Sequence, residues 1–359
     1  PDTSGWRHHR DTKEKRDEGL DGTELAISES QERMAVVINK KDVEAFCKAA
    51  DEENLETAVV AVVTDNRRLV MNWRQNTIVN LSRDFLDTNG VKQHINVVVE
   101  TPAKETCYLD HIPGKVAALA PDLEKAWLEN LKDLNVCSQK GLAERFDSSI
   151  GGNSVLMPFG GKNQLTPTEG MVAKLPVIGA ETTTATAMTY GYNPYLMEWS
   201  PFHGAMYAVI ESVAKMVALG GRADKIRLTF QEYFESLGTD SRKWGRPFAA
   251  LLGALWAQHQ LEIPAIGGKD SMSGTFMDLT VPPTLTSFAV DVMKADNALS
   301  PEFKVAGSKV YYVPMPKDKL AMPDFRKLRD TYEKVSNFIA AKKVFAASSV
   351  RMGGTAAAI

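Results

Sequence analysis

The chain has 359 residues, 44% hydrophobic and 24% charged, an ordinary globular composition with room for two or three domains. A net charge of −3 makes no electrostatic case for nucleic acid or an anionic membrane, and no apolar run reaches the roughly 18 residues that span a bilayer. Cys47, Cys107 and Cys137 lie far apart with no CxxC spacing, so neither a disulfide framework nor a zinc site is suggested, and a reducing cytoplasm fits.

Residues 1–22 are polar and charged, without the apolar stretch of a signal peptide, and read as a poorly ordered lead-in. A strand is expected at Met34 to Ile38, then a helix over 41–55 with Val43, Phe46, Cys47 and Ala50 on one face. TAVVAVVT (57–64) and RRLVMNW (67–73) read as antiparallel partners, followed by a strand over 75–82. Residues 100–140 form a connector holding an amphipathic helix at 122–134. Strands are expected over 153–159, 172–178, 182–191, 225–230 and 284–293, and again at PAIGG (264–268). The segment 203–221 is a helix with Met206, Val209, Ile210, Val213, Met216 and Val217 on its apolar stripe, and 246–263 is a second long helix. A third region opens near Gly307 with a strand at 309–315 and a helix over 324–345. The order predicts an α+β fold with helices on one face of a sheet.

PAIGGKDSMSGTF (264–276) places two glycines, a lysine, an aspartate and two serines at a strand's end. Backbone N–H groups freed by glycine, with a lysine beside them, resemble an anion cradle, though the GxxxxGK[ST] spacing of a Walker A loop is absent. On local pattern alone, a polar turn between core strands is the stronger reading. Likewise Ser28 and Gln31 have capping-box spacing, and Glu211 with Lys215 reads as a solvated i, i+4 pair worth only ~0.3–0.5 kcal/mol. His203 reads as a helix-start residue and His259 as a partly exposed helix residue.

The combination says more than its parts. GLDGTELAISESQERMAVV, RFDSSIGGN, PAIGGKDSMSGTF and PPTLTSFAV, in that order, resemble phosphoribosylformylglycinamidine synthase in its long, single-chain form, over residues 11–359. The resemblance implies an ATP-dependent amidation in purine biosynthesis. The amide oxygen of formylglycinamide ribonucleotide is phosphorylated, and ammonia from glutamine displaces phosphate to give the amidine. It implies the synthetase-type α+β subdomains of the aminoimidazole ribonucleotide synthetase-like superfamily, with mixed or antiparallel sheets. Residues 23–115 would close a first C-terminal-type subdomain, 116–140 would be a connector helix, 141–300 a barrel-forming N-terminal-type subdomain and 307–359 the start of a second C-terminal-type one. Pro1 and the closing MGGTAAAI lead us to expect a piece of a longer protein, inactive alone, whose partners are its own remaining segments and small-molecule substrates, with ATP and Mg²⁺ as cofactors.

By the resemblance, Glu29, Ser30 and Gln31 are the substrate loop, joined by Ser271, while Gly268 and Lys269 meet the nucleotide. Lys269 stands where short-form relatives carry a metal-binding Asn, which implies a point cation for phosphate in place of a magnesium ligand. Long-form relatives hold a second, non-catalytic nucleotide with Mg²⁺. Here the four metal-ligand positions of that site read Lys174, Glu211, Lys215 and Ser349, and Arg351 replaces a serine that touches the nucleotide. One carboxylate is too few for Mg²⁺, so a Lys174–Glu211–Lys215 network is expected in its place. The alternatives are a non-catalytic nucleotide-binding or scaffold module of the same architecture, or another ATPase of the superfamily.

Overall fold

A computed structural model of the chain describes residues 6–9, 20–28, 34–88, 94–145 and 152–359. The chain divides into two compact units, residues up to 94 and residues from 95 onward.

The first unit holds β1 (Trp6–His9), α1 (Gly22–Ile27), α2 (Val43–Glu52), β2 (Ala61–Val63), β3 (Arg68–Trp73), β4 (Asn76–Ser82) and α3 (Arg83–Leu86). Asp21 opens α1: its carboxylate accepts from Glu24 N at 2.8 Å, and the Glu24 carboxylate accepts from Asp21 N at 2.8 Å. A capping box therefore opens α1, because Asp-x-x-Glu satisfies the orphan donors of its first turn. Ser28 follows α1 and donates from Oγ to Leu25 O at 3.0 Å, while Gln31, its partner in the expected capping box, lies outside the described residues. The sheet order is β2-β1-β3-β4. Thus 57–64 and 67–73 are not direct partners: β1, from the polar lead-in, lies between them, antiparallel to β2 and parallel to β3. β3 and β4 do form a hairpin, closed by Arg74 and Gln75 at φ 45° and 67°, the double left-handed turn whose twist suits two strands. The strand expected at Met34 to Ile38 does not form; those residues have no ladder partner among the described residues and are exposed.

The second unit begins with short helices α4 (Gly114–Ala117), α5 (Leu123–Leu131) and α6 (Lys140–Ala143), then the two-residue strands β5 (Phe159–Gly160) and β6 (Thr166–Pro167). Its main sheet follows: β7 (Met171–Lys174), β8 (Thr184–Gly191), α7 (Pro194–Trp199), α8 (Pro201–Ala218), β9 (Arg227–Tyr233), α9 (Ser241–Leu261) and β10 (Ala265–Lys269). After the small hairpin β11 (Thr275–Phe276) and β12 (Leu279–Thr280) come β13 (Thr284–Lys294), α10 (Phe325–Ala340) and α11 (Gly354–Ala358). The order is β10-β9-β13-β8-β7, with β10 and β9 parallel and the other pairs antiparallel. This is the expected mixed α+β arrangement.

Strict alternation in β13 puts Leu285, Ser287, Ala289 and Asp291 on the buried face. That face receives α8, whose six stripe residues are all buried, each worth about 1.5–3 kcal/mol when fully removed from water. α9 packs on α8 through small residues, and a Cβ at Gly253 would meet Phe202 O at 2.0 Å, so the crossing needs glycine. The opposite sheet face leaves Met188, Tyr190, Val292 and Tyr233 exposed. Residues 95–115, expected to close the first subdomain, lie in this second unit, where Val98 N donates to Ser241 O and Trp199 Nε1 to Ala103 O. Two further expected strands are missing. Over 153–159 only the Ser154–Ala173 bridge and the start of β5 form, and 309–315 pairs with nothing among the described residues, leaving Val310, Tyr311 and Tyr312 exposed.

Candidate functional site

Two places carry the chemistry. The first is the turn after β10. Parallel strands deliver their carboxyl ends to one edge of a sheet, where ligands of open α/β sheets commonly dock. Here β9 ends at Glu232 and Tyr233, and β10 ends at Gly268 and Lys269. Ser271 N donates to Glu232 O at 3.0 Å and Ser271 O accepts from Phe234 N at 2.9 Å, so the polar turn is pinned to β9. Gly267, Gly268, Lys269 and Asp270 are all exposed.

The two glycines differ. A Cβ at Gly267 would meet nothing within 4 Å, whereas one at Gly268 would meet Phe230 O at 2.8 Å. Gly267 therefore leaves space that a ligand can reach, and Gly268 lets β10 lie close to β9. Lys269 Nζ donates to Asp270 O at 3.3 Å, and the Ser271 and Ser273 hydroxyls are 3.5 Å apart. Gly268, Lys269 and Ser271 thus stand together. Glu29, Ser30 and Gln31 lie outside the described residues.

Sequence reading missed the most unusual group here. Glu232 is only 5% exposed, and its Oε1 has no hydrogen-bond partner among the described residues. Burial, with the Asp270 carboxylate adding to it, pushes its carboxyl up to about 7. The signal was available: Leu228, Phe230, Glu232 and Phe234 alternate along the strand, which puts a carboxyl on an apolar face. Three residues on, Glu235 is also buried but fully matched, by Lys243 Nζ at 2.8 Å and Arg246 Nη1 at 2.6 Å.

The second place is on α8. Lys215 Nζ lies 2.7 Å from Glu211 Oε1, donates to Tyr190 O at 2.8 Å and sits 4.0 Å from the Tyr190 ring centroid. The lysine side chain is 1% exposed, so the reading of a solvated pair is corrected: α8 lies between the sheet and α9, and little of its surface stays wet. Lys174 does not join the pair. It is exposed on edge strand β7, and its side chain forms no ion pair among the described residues. Ser349 is committed elsewhere: its hydroxyl donates to Glu169 Oε2 at 2.5 Å while Ser348 donates to Oε1 at 2.8 Å. Glu169, 3% exposed, was also missed by sequence reading. Arg351 is exposed. Among the described residues, no three His, Cys, Asp or Glu side chains cluster to hold a metal ion. His203 takes the expected helix-start role, bonded to Ser200 Oγ at 2.8 Å and Leu320 O at 3.0 Å.

Comparison with known proteins gives these elements a family setting. Residues 4–74 match the family described as AIR synthase related protein, C-terminal domain, so the likeness begins inside the lead-in that supplies β1. The phosphoribosylformylglycinamidine synthase subunit PurL of Thermoplasma acidophilum is 22% identical over 374 residues, covering 96% of this chain and 46% of the relative. The PurL subunit of Leuconostoc mesenteroides is 25% identical over 330 residues, covering 88% and 40%. Among solved structures, T. maritima PurL complexed with AMPPCP matches with a TM-score of 0.65 at 19% identity, over 97% of this chain and 52% of that one. T. maritima PurL complexed with FGAR matches with a TM-score of 0.63 at 17% identity, over 97% and 50%. In sequence this chain is similar to the PurL subunit of phosphoribosylformylglycinamidine synthase and it shares the fold of T. maritima PurL, and it spans about half the length of the curated relatives it matches.

Proposed function

We propose that the chain is the central part of the synthetase region of a phosphoribosylformylglycinamidine synthase, acting in purine biosynthesis on formylglycinamide ribonucleotide and ATP. The observation that carries this reading is the turn at 267–271, exposed at 267–270, at the carboxyl ends of two parallel strands, in a chain that matches PurL along 96% of its length. In this reading the turn's free amides and Lys269 meet phosphate charge, and Ser271, with Glu29, Ser30 and Gln31, holds the ribonucleotide. ATP supplies the phosphoryl group that makes the amide oxygen a leaving group. Ammonia then adds at the same carbon, phosphate departs and the amidine remains. The long single-chain form, glutamine as nitrogen donor, a cytoplasmic setting and Mg²⁺ belong to the same proposal. Among the described residues, no cluster of carboxylates, His or Cys is set to hold Mg²⁺.

We read 141–300 as the barrel-forming subdomain, supported by a sheet with one face under α8 and the other bearing exposed Met188, Tyr190 and Tyr233. Residues 23–94 and 307–359 are then parts of C-terminal-type subdomains. A second reading applies to the α8 site alone: the buried Glu211–Lys215 pair favours a scaffold half that holds no Mg²⁺–nucleotide. Isothermal titration of formylglycinamide ribonucleotide and ATP into the full-length protein tests the main reading. Glu29→Ala and Ser271→Ala should each weaken ribonucleotide binding, and unchanged affinity in both removes the assignment.

A further inference from the structure

We infer that Glu232 and Asp270 form a docking point for a small cationic N–H group, an amidinium or an ammonium, at the carboxyl ends of β9 and β10. Lys269 is the register partner of Gln231, so the next residues, Asp270 and Glu232, lie side by side on one face of the sheet. Asp270 is exposed, while Glu232 is 5% exposed with an oxygen that nothing satisfies among the described residues. A buried carboxyl with an unmet oxygen normally has a partner to receive, since leaving it unpaired costs about 1–3 kcal/mol or more.

The nearby cations do not fill the role. Lys243 and Arg246 of α9 are held by Glu235, and Lys269 Nζ turns onto the Asp270 carbonyl. From β13, the cross-strand neighbour of Glu232 is Leu285, which brings no charge. Among the described residues the pair thus presents two carboxyl groups and no counter-cation. Two carboxylates are few for a divalent ion, which prefers about six oxygens, and no third carboxylate, His or Cys of the described residues joins them. A planar cation with several N–H donors can satisfy both groups at once. The amidine formed in the proposed reaction is one such group, but the inference stands without that reading.

Infrared titration of the full chain, with the Glu232→Gln variant subtracted to isolate the Glu232 carboxyl band, tests it. Without ligand the band should titrate near the value of about 7 set by burial and Asp270. Saturating acetamidinium chloride should lower that midpoint by about one pH unit or more, as an opposite charge at contact does, while tetramethylammonium chloride, which has no N–H, should not move it. Asp270→Asn, an exposed change that keeps the buried group, should lower the ligand-free midpoint and weaken the acetamidinium shift. A midpoint in the ordinary carboxylate range, no response to acetamidinium, or equal responses to both salts overturns the inference. Ribonucleotide binding by Ser271→Ala is read separately, so either idea can fail alone.

Discussion

The Lys215 ammonium is buried between the Glu211 carboxylate, 2.7 Å away, and the Tyr190 carbonyl, 2.8 Å away. A lysine can sit in a helical core only if its charge is matched, and removing one partner of a buried pair costs far more than an exposed pair ever contributes. Glu211→Ala should therefore destabilise the protein by about 3 kcal/mol in urea denaturation, and Lys215→Met, which removes the fully buried charge, keeps the stem's volume and leaves a Glu211 that is 18% exposed and can reach water, should cost clearly less. Equal stability of Glu211→Ala and the parent would mean that Tyr190 alone holds the lysine.

Adjacent glycines in the 267–271 turn should separate binding from folding. Gly267→Ala adds a methyl where nothing lies within 4 Å, so stability should change by no more than about 0.5 kcal/mol. If a phosphorylated ligand docks against this turn, the same methyl should weaken ATP or ribonucleotide binding in a titration. Gly268→Ala pushes a methyl against Phe230 O at 2.8 Å, and should destabilise by about 1–3 kcal/mol through overpacking of β9 and β10. The reverse pattern would place the ligand elsewhere.

What could be read from residues alone follows from how local the cause is. The stripe of α8 and the alternation of β13 are set by side chains within one element, and both appear as expected. The order β2-β1-β3 was not legible, because a strand as polar as Trp6–His9 carries no periodic signal and is recruited by an edge far along the chain. Segments 34–38 and 309–315 have strand composition but find no ladder partner among the described residues, and propensity without a ladder makes no strand. At the candidate site, the glycine-rich turn was visible as a motif. The burial of Glu232 needed the sheet's register and Asp270 across it, and the hold of Ser348 and Ser349 on Glu169 needed chain closure over 180 residues.

His203 gives a pH dependence with a definite sign. Burial holds its imidazole below the ordinary histidine value, against the smaller opposing effects of Leu320 O and Asp318. Leu320 O can only accept, so Nε2 carries the proton and Nδ1 accepts from Ser200 Oγ. A group whose folded value is lowered contributes stability above its unfolded value of 6.5 and loses it as pH falls. Thermal melts should therefore drop between pH 7 and pH 5, and His203→Gln should flatten part of that slope. A parent whose melting temperature is level across that window contradicts the assignment.

The Ser349–Glu169 contact makes the sharpest test of whether the late Gly-Gly segment can serve as a metal site. Ser348 and Ser349 give one donor to each oxygen of a carboxylate that is 3% exposed, and hydrogen bonds to a charged group are worth about 1.5–3 kcal/mol each. The double change Ser348→Ala with Ser349→Ala should cost several times that of a surface substitution and loosen the segment that leads into α11, measurable by hydrogen exchange at 348–353. Ser349→Asp, which supplies the carboxylate that the resemblance places there, should be worse still without metal, because two acids would face each other at hydrogen-bond distance. If millimolar Mg²⁺ restores the stability of Ser349→Asp, the serine is what keeps that corner metal-free. If Mg²⁺ has no effect, a carboxylate at 349 does not complete a metal site with Glu169.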